Sequence, residues 1–248
     1  MDWSDDGLVL SLRPHGETSA ILEALTRAHG RHLGLVHGGV SAKRRATLQP
    51  GNTVRLGWRA RLSEHLGTFT AEPLRARAGD MFEARASLTG LNAFTAIASA
   101  VLPEREPHLP AFEEGEHLLD MLAGHGMEEW GPAFMRWELS LLEELGFGLD
   151  LTACAATGTT ENLIYVSPRS GRAVSKEAGE VYKDRLLKLP GFLLDGTHPP
   201  NAAEIADALQ LTAFFLEHWV LEPHGKALPE PRRRLAELAA SRAKDESA

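Results

Sequence analysis

The alternation of apolar and polar positions is cleanest over 53–62. Val54, Leu56, Trp58, Ala60 and Leu62 fall on one face, and Arg55, Gly57, Arg59 and Arg61 on the other. A period of two marks a half-buried strand. The same period runs through the segments before it. Leu8, Leu10 and Leu12 alternate with Val9, Ser11 and Arg13, and Pro14-His15-Gly16-Glu17 punctuates as a turn. Residues 18–27 predict a second strand, closed by His29-Gly30. Residues 31–37 predict a third, with Leu33 and Leu35 on one face and Gly38-Gly39 at its end. A fifth strand starts at 68–71 and stops near Pro73. Five short strands within the first 79 residues suit a small closed barrel better than an open sheet, because closure removes the unpaired edges.

From Met81 the period turns helical. Leu88, Leu91, Thr95, Ala98 and Leu102 recur at steps of three and four until Pro103. Residues 112–123 predict a second helix and 132–145 a third, with Pro132 in its first turn and Gly146 as its stop. Asn201 with Glu204 forms a capping box that opens a long helix to about Leu221. Residues 150–175, with Gly158, Pro168 and Gly171, read as loop or short hairpin, and the last dozen residues as a fraying end. The architecture expected is a β-barrel domain over 1–79, then an all-α domain over 80–248 with a small insertion at 150–180.

Composition adds little to this picture: 248 residues, 43% apolar and 24% charged, are ordinary for a chain with a real core. The acidic and polar opening segment carries no secretory signal, and no apolar run of membrane length occurs, so the chain reads as soluble and cytoplasmic. One cysteine, Cys154, excludes an internal disulfide and a Cys-rich zinc site. Charge changes the picture more. The net charge is −8, yet residues 1–79 hold 11 Lys and Arg against 7 Asp and Glu, while residues 80–150 hold 3 against 14. A basic first third before a strongly acidic stretch suggests two modules with different partners.

Phosphate-binding, metalloprotease and nucleophile-elbow motifs are absent. His29, His32 and His37 cluster near the third strand, but turn histidines are usually surface residues rather than ligands. Cys154 sits among alanines with no activating cation and reads as an inert small hydrophobe. Nothing makes a positive case for an enzyme, a metal or a cofactor. The informative residues are cationic. Arg55, Arg59 and Arg61 share one strand face with no acid along it, Lys43, Arg44 and Arg45 fill the preceding loop, and Arg27 and Arg31 bracket a hairpin. Guanidinium groups across a five-stranded barrel suit a single-stranded nucleic acid, whose phosphates they track. Stacking platforms are sparse: Trp58 belongs with the core set and Phe69 is undecided, which favours binding through the backbone without sequence preference.

Longer motifs sharpen this reading. Gly7-Leu-Val-Leu-Ser-Leu-Arg-Pro-His-Gly-Glu-Thr-Ser19, His29-Gly30-Arg31, Gly38-Gly39-Val40-Ser41-Ala42-Lys43 and Leu48-Gln49-Pro50-Gly51 run through the barrel region. Phe134-Met-Arg-Trp-Glu-Leu139, Leu145-Gly-Phe-Gly148, Tyr165-Val-Ser-Pro168 and His224-Gly225-Lys226-Ala227-Leu228 follow in the rest. Together they resemble the RecO family of bacterial recombination mediators over nearly the whole chain. The resemblance implies an N-terminal OB-fold and a C-terminal helical domain. It implies binding and annealing of single-stranded DNA, and partnership with RecR and with the acidic tail of single-stranded DNA-binding protein. RecA would be served indirectly, and RecF is left open. Many family members carry a four-cysteine zinc site after the Leu-Gly-Phe-Gly motif. Here Cys154 stands alone and Thr157 takes the position of its partner, so zinc is not carried over.

The acidic tail needs a local exception to the acidic second module. Residues 169–188 supply one: Arg169, Arg172, Lys176, Lys183, Arg185 and Lys188 against Glu177, Glu180 and Asp184. Arg136, in the Phe-Met-Arg-Trp-Glu-Leu motif, is the other candidate, through the motif match. The competing class of function is a protein-interaction adaptor whose barrel binds no nucleic acid.

Overall fold

The computed structural model describes residues 1–194, 196 and 198–246. Five strands close into a barrel in the order β1 (Asp2–His15), β2 (Ser19–Thr26), β3 (Gly30–Val36), β5 (Thr68–Arg75), β4 (Thr53–Arg59). The pairs are antiparallel except β3 with β5, which meet in parallel at Leu35 and Thr68. This is the OB-like barrel that the strand spacing and the family resemblance predict. Val9, Leu22, Ala24, Val36, Val54, Leu56, Trp58, Phe69 and Ala71 fill it, and Leu48 enters from the β3–β4 connection. The simple alternation expected of β1 breaks at a bulge between Val9 and Ser11. The extra residue lets Val9 and Leu12 serve the barrel core while Leu8 and Leu10 are buried outside that cluster. Leu8 meets α4 (Leu109–Gly124) at Gly115, where a Cβ would sit 3.3 Å from its side chain. Gly30 takes φ +68 with the Glu106 carbonyl against it, so no side chain fits there.

Two segments depart from the sequence reading. β4 stops at Arg59, so Arg61 and Leu62 lie in the connection to β5, and Leu62 is exposed. The Lys43-Arg44-Arg45 segment is not a loop but a short helix, α1 (Ala42–Thr47). After the barrel come α2 (Ala78–Met81), α3 (Arg85–Val101) and α4, and the first compact unit ends at Gly124. Strands thus give way to helices near residue 79, while packing keeps the next 45 residues or so with the barrel.

The second unit, His125–Ala248, starts with α5 (Met127–Glu144). It begins five residues earlier than the sequence suggests. Glu129 reaches back to the Gly126 amide at 3.1 Å, and Pro132 lies in the second turn rather than the first. β6 (Leu163–Val166), β7 (Ala173–Ser175) and β8 (Leu187–Lys188) form a three-stranded sheet in the order β7-β6-β8, with α6 (Lys176–Gly179) between β7 and β8. α7 (Ala202–Phe215) opens with the expected box: Glu204 N donates to Asn201 Oδ1 at 2.9 Å, and Asn201 N to Glu204 at 3.1 Å. It widens into a π-turn over Leu216–Leu221. Of the last dozen residues, expected to fray, 237–246 belong to α8 (Glu230–Glu246), which buries Ala239 among them and Arg232 and Leu235 before them, while 247–248 lie outside the described residues. Among the described residues no helix is long and apolar enough to cross a membrane.

Candidate nucleic-acid interface

Of the 11 cations in residues 1–79, five are held by carboxylates. Arg27 pairs with Glu113 and lies over the Phe112 ring. Arg31 is 14% exposed, bonded to Glu23 at 2.7 Å and to the Leu102 carbonyl at 2.8 Å, with Glu104 at 3.7 Å. Its guanidinium is a joint between β3 and the segment after α3, not a free phosphate ligand. Arg75 and Arg77 share Asp120 at 2.7 and 2.5 Å. Arg55 meets Asp6 at 2.5 Å.

The β4 face therefore needs correcting. It carries no acid along its own strand, but the register sets Asp6 opposite Arg55, Asp2 opposite Arg59, and Glu72 opposite Arg55 from the other side. A face that looks uniformly cationic along one strand is mixed once its neighbours are in place. Arg59 and Arg61 remain exposed and without an ion pair among the described residues.

The other free cations gather at the opposite end of the barrel. α1 starts after Ser41 and ends at Leu48, whose side chain is fully buried. Asn52 fastens its last turn, donating to the carbonyls of Ala46 and Thr47 at 3.0 and 3.1 Å. On this mount Lys43 and Arg45 are exposed without an ion pair among the described residues. Arg44 donates to the Ala71 carbonyl at 2.8 Å and keeps its charge uncompensated. The β1–β2 turn lies alongside, since Val40 N donates to the Thr18 carbonyl at 3.4 Å. Arg13, exposed near the end of β1, joins them there, as do His15 and His37. Across residues 13–19 and 37–52 the one acid is Glu17. Sequence reasoning did not single out Arg13, although the motif that carries the family resemblance contains it. It also missed Arg105, whose guanidinium gathers the carbonyls of Ser63, Glu64 and His65 at 2.6, 3.2 and 2.9 Å and so pins the β4–β5 connection.

In the second unit the predicted cations do not form one patch. Arg172 pairs with Asp150 at 3.1 Å, and Lys183 with Glu180 at 2.8 Å. Lys188 pairs with Asp207 at 3.1 Å. Arg169 and Arg185 are exposed. Arg136 is the one exposed residue between Phe134 and Glu138: Phe134, Met135, Trp137 and Glu138 are buried. Lys183 and Lys188 line a cavity of about 520 Å³ with Tyr165, Leu187 and Leu211. A second cavity of about 430 Å³ shares Lys188 and Asp207 and is walled by alanines of α7 and α8, with Lys244 at its edge. Arg136 lines neither.

The position where the resemblance would place zinc does not suit a metal. Burial pushes the Cys154 thiol up, but the Thr157 hydroxyl and the amides of Ser175 and Ala156 outweigh it, and the thiol falls to about 6. These neighbours are hydrogen-bond donors, not metal ligands, and they stabilise a thiolate without the cation that sequence reasoning looked for. No group of three or more His, Cys, Asp or Glu able to hold a metal occurs among the described residues.

Comparison with known proteins agrees with this architecture. Residues 1–77 match the model for the Recombination protein O N terminal, and residues 83–228 that for the Recombination protein O C terminal. The chain is 50% identical over 240 residues to the DNA repair protein RecO of Cereibacter sphaeroides, covering 97% of this chain and 99% of that one. It is 48% identical over 241 residues to the Rhodospirillum rubrum protein of that name, covering 96% of each. With the protein of that name from Roseobacter denitrificans it shares 49% over 243 residues, 98% of this chain and all of the other. With both family models matched in order and half the residues shared over nearly full length, the chain belongs to the RecO family of DNA repair and recombination proteins.

Proposed function

We propose that this chain binds and anneals single-stranded DNA and, with RecR, helps load RecA onto DNA covered by single-stranded DNA-binding protein. It acts by holding strands, without a reaction of its own, on the DNA of the cytoplasm and nucleoid. Residues 1–79 handle DNA, and 80–248 dock partners. The observation that carries this reading is the set of exposed cations without an ion pair among the described residues: Lys43, Arg44 and Arg45 on α1, Arg13 beside them, and Arg59 and Arg61 at the other end of the barrel. Phosphates compete well for such groups, because no internal pair must first be broken.

The acidic tail of single-stranded DNA-binding protein is placed at the two adjoining cavities of the second unit, a mixed one where Lys183 and Lys188 stand among Leu186, Leu187, Leu211, Asp184 and Asp207, and an alanine-walled one edged by Lys188 and Lys244. The existing pairs of Lys183 and Lys188 are exposed, and such pairs contribute about 0–1 kcal/mol, so an incoming carboxylate exchanges with them readily. Arg136, exposed and unpaired among the described residues, offers a further cation on α5.

Replacing Lys43, Arg44 and Arg45 together with Ala tests the DNA reading. The variant is expected to keep its far-ultraviolet circular dichroism, since α1 buries none of its residues. It is expected to slow annealing of complementary strands by an order of magnitude or more. Unchanged annealing at low salt would contradict the proposal.

A further inference from the structure

At the end of the barrel away from α1, register sets Trp3 of β1 opposite Trp58 of β4, and Trp58 opposite Phe69 of β5. Trp58 and Phe69 are fixed. The Trp58 Nε1–H donates to the Leu66 carbonyl at 3.0 Å, and the Phe69 ring lies where a Cβ on Gly34 would be. Trp3 lies near-parallel to Trp58, with centroids 5.7 Å apart and planes at 18°. The β2–β3 turn then places His29 on Trp3, with centroids 4.2 Å apart and planes at 8°. Three near-parallel rings thus lead from the buried core to the surface, and the last of them is His29.

That ring is held before anything binds. Its Nδ1 meets Asp5 Oδ2 at 3.0 Å, and the same oxygen accepts from the Ala28 amide at 2.7 Å. The His29 amide donates to the Thr26 hydroxyl at 3.2 Å, and that hydroxyl donates to the Gly30 carbonyl at 2.8 Å. The His29 side chain is nonetheless 36% exposed. Trp3 covers one face and Asp5 occupies Nδ1, so what remains open is the other face and the Nε2 edge. Nε2 has no hydrogen-bond partner among the described residues. Arg59 and Arg61, both exposed and without an ion pair among the described residues, stand at the same end, where β4 runs out beside the start of β1.

We propose that the open face of His29 is a stacking subsite for one base of a single-stranded nucleic acid, continuing the His29–Trp3–Trp58 series, with Arg59 and Arg61 on the flanking phosphates. A flat ring oriented in advance loses little freedom when a base lands on it, and stacking accepts any base. The subsite rests on the single-strand reading above and adds to it a contact that reads bases rather than charge.

The test uses the full chain and two probes of equal length and charge: oligo-deoxythymidine and an abasic deoxyribose-phosphate strand. The unaltered protein is expected to bind the thymidine strand more tightly. His29→Ala is expected to weaken that binding about tenfold, to leave the abasic strand unaffected and to keep the salt slope. His29→Tyr, which restores a flat ring, is expected to recover the preference. Equal loss for both strands, or no loss for either, overturns the subsite while leaving the single-strand reading standing. Failure of the unaltered protein to bind either strand at low salt overturns both.

Discussion

His32 shows how one side chain couples the barrel core to pH. It is 3% exposed and packs edge-on against Trp58 and Phe69. Burial is the main cause that lowers it from its ordinary 6.5, with the Arg105 and His29 charges adding to the effect against the Leu33 carbonyl. A histidine that is neutral when folded takes up a proton on unfolding, so the unfolded chain binds more protons. Stability then rises with pH through the range below 6.5 and is lost as pH falls. Urea midpoints are expected to drop on acidification below that value, and His32→Phe to flatten the drop. An unchanged acid sensitivity in His32→Phe would place its source elsewhere. Glu138 and Arg232 are a different case. Both side chains are 0% exposed and joined at 2.6 and 2.9 Å, with the Thr212 hydroxyl donating to Glu138 at 2.5 Å. Glu138→Gln leaves a guanidinium buried without its counter-charge, at an expected cost of about 3–5 kcal/mol by denaturant unfolding. Replacing Glu138 with Leu and Arg232 with Met together is expected to recover most of that loss. A loss under about 1 kcal/mol from the single change would mean that the pair is dispensable.

Elements differ in how far the chain announces them. The barrel strands and α3 are legible because each puts an apolar stripe on a packed neighbour. α7 is legible because Asn201 and Glu204 advertise its cap. α1 is invisible to periodicity: it has six residues, none buried, so no face alternates. Its position is fixed from outside, by Leu48 beyond its end and by Asn52. Asn52 also accepts from the amides of Arg77 and Ala78, at 2.9 and 3.0 Å. α8 is polar enough to read as a fraying tail, because one of the three residues it buries is an arginine whose partner lies 94 residues earlier. Part of the candidate site was legible as well. The α1 cations were found by their run along the chain. The aromatic series was not, because Trp3, His29 and Trp58 meet through strand pairing and a turn, and no spacing along the chain encodes that.

Across the molecule, charge counted along the sequence misleads until the ion pairs are known. Within the first compact unit, the basic first third and the acidic stretch after it neutralise part of each other. Glu104, Glu113, Glu116 and Asp120 come from the acidic stretch and hold Arg31, Arg27, Arg75 and Arg77 within one compact unit. What is left for a polyanion is a smaller set, concentrated on α1. The most direct test is the salt dependence of single-strand binding, measured for the unaltered chain and for the variant with Lys43, Arg44 and Arg45 replaced by Ala. About five phosphate contacts predict a log–log slope near −3.5, shallower by about 2 in the variant. A slope near zero in the unaltered chain, or one that the three substitutions leave unchanged, would contradict the assignment of α1 as the principal phosphate contact.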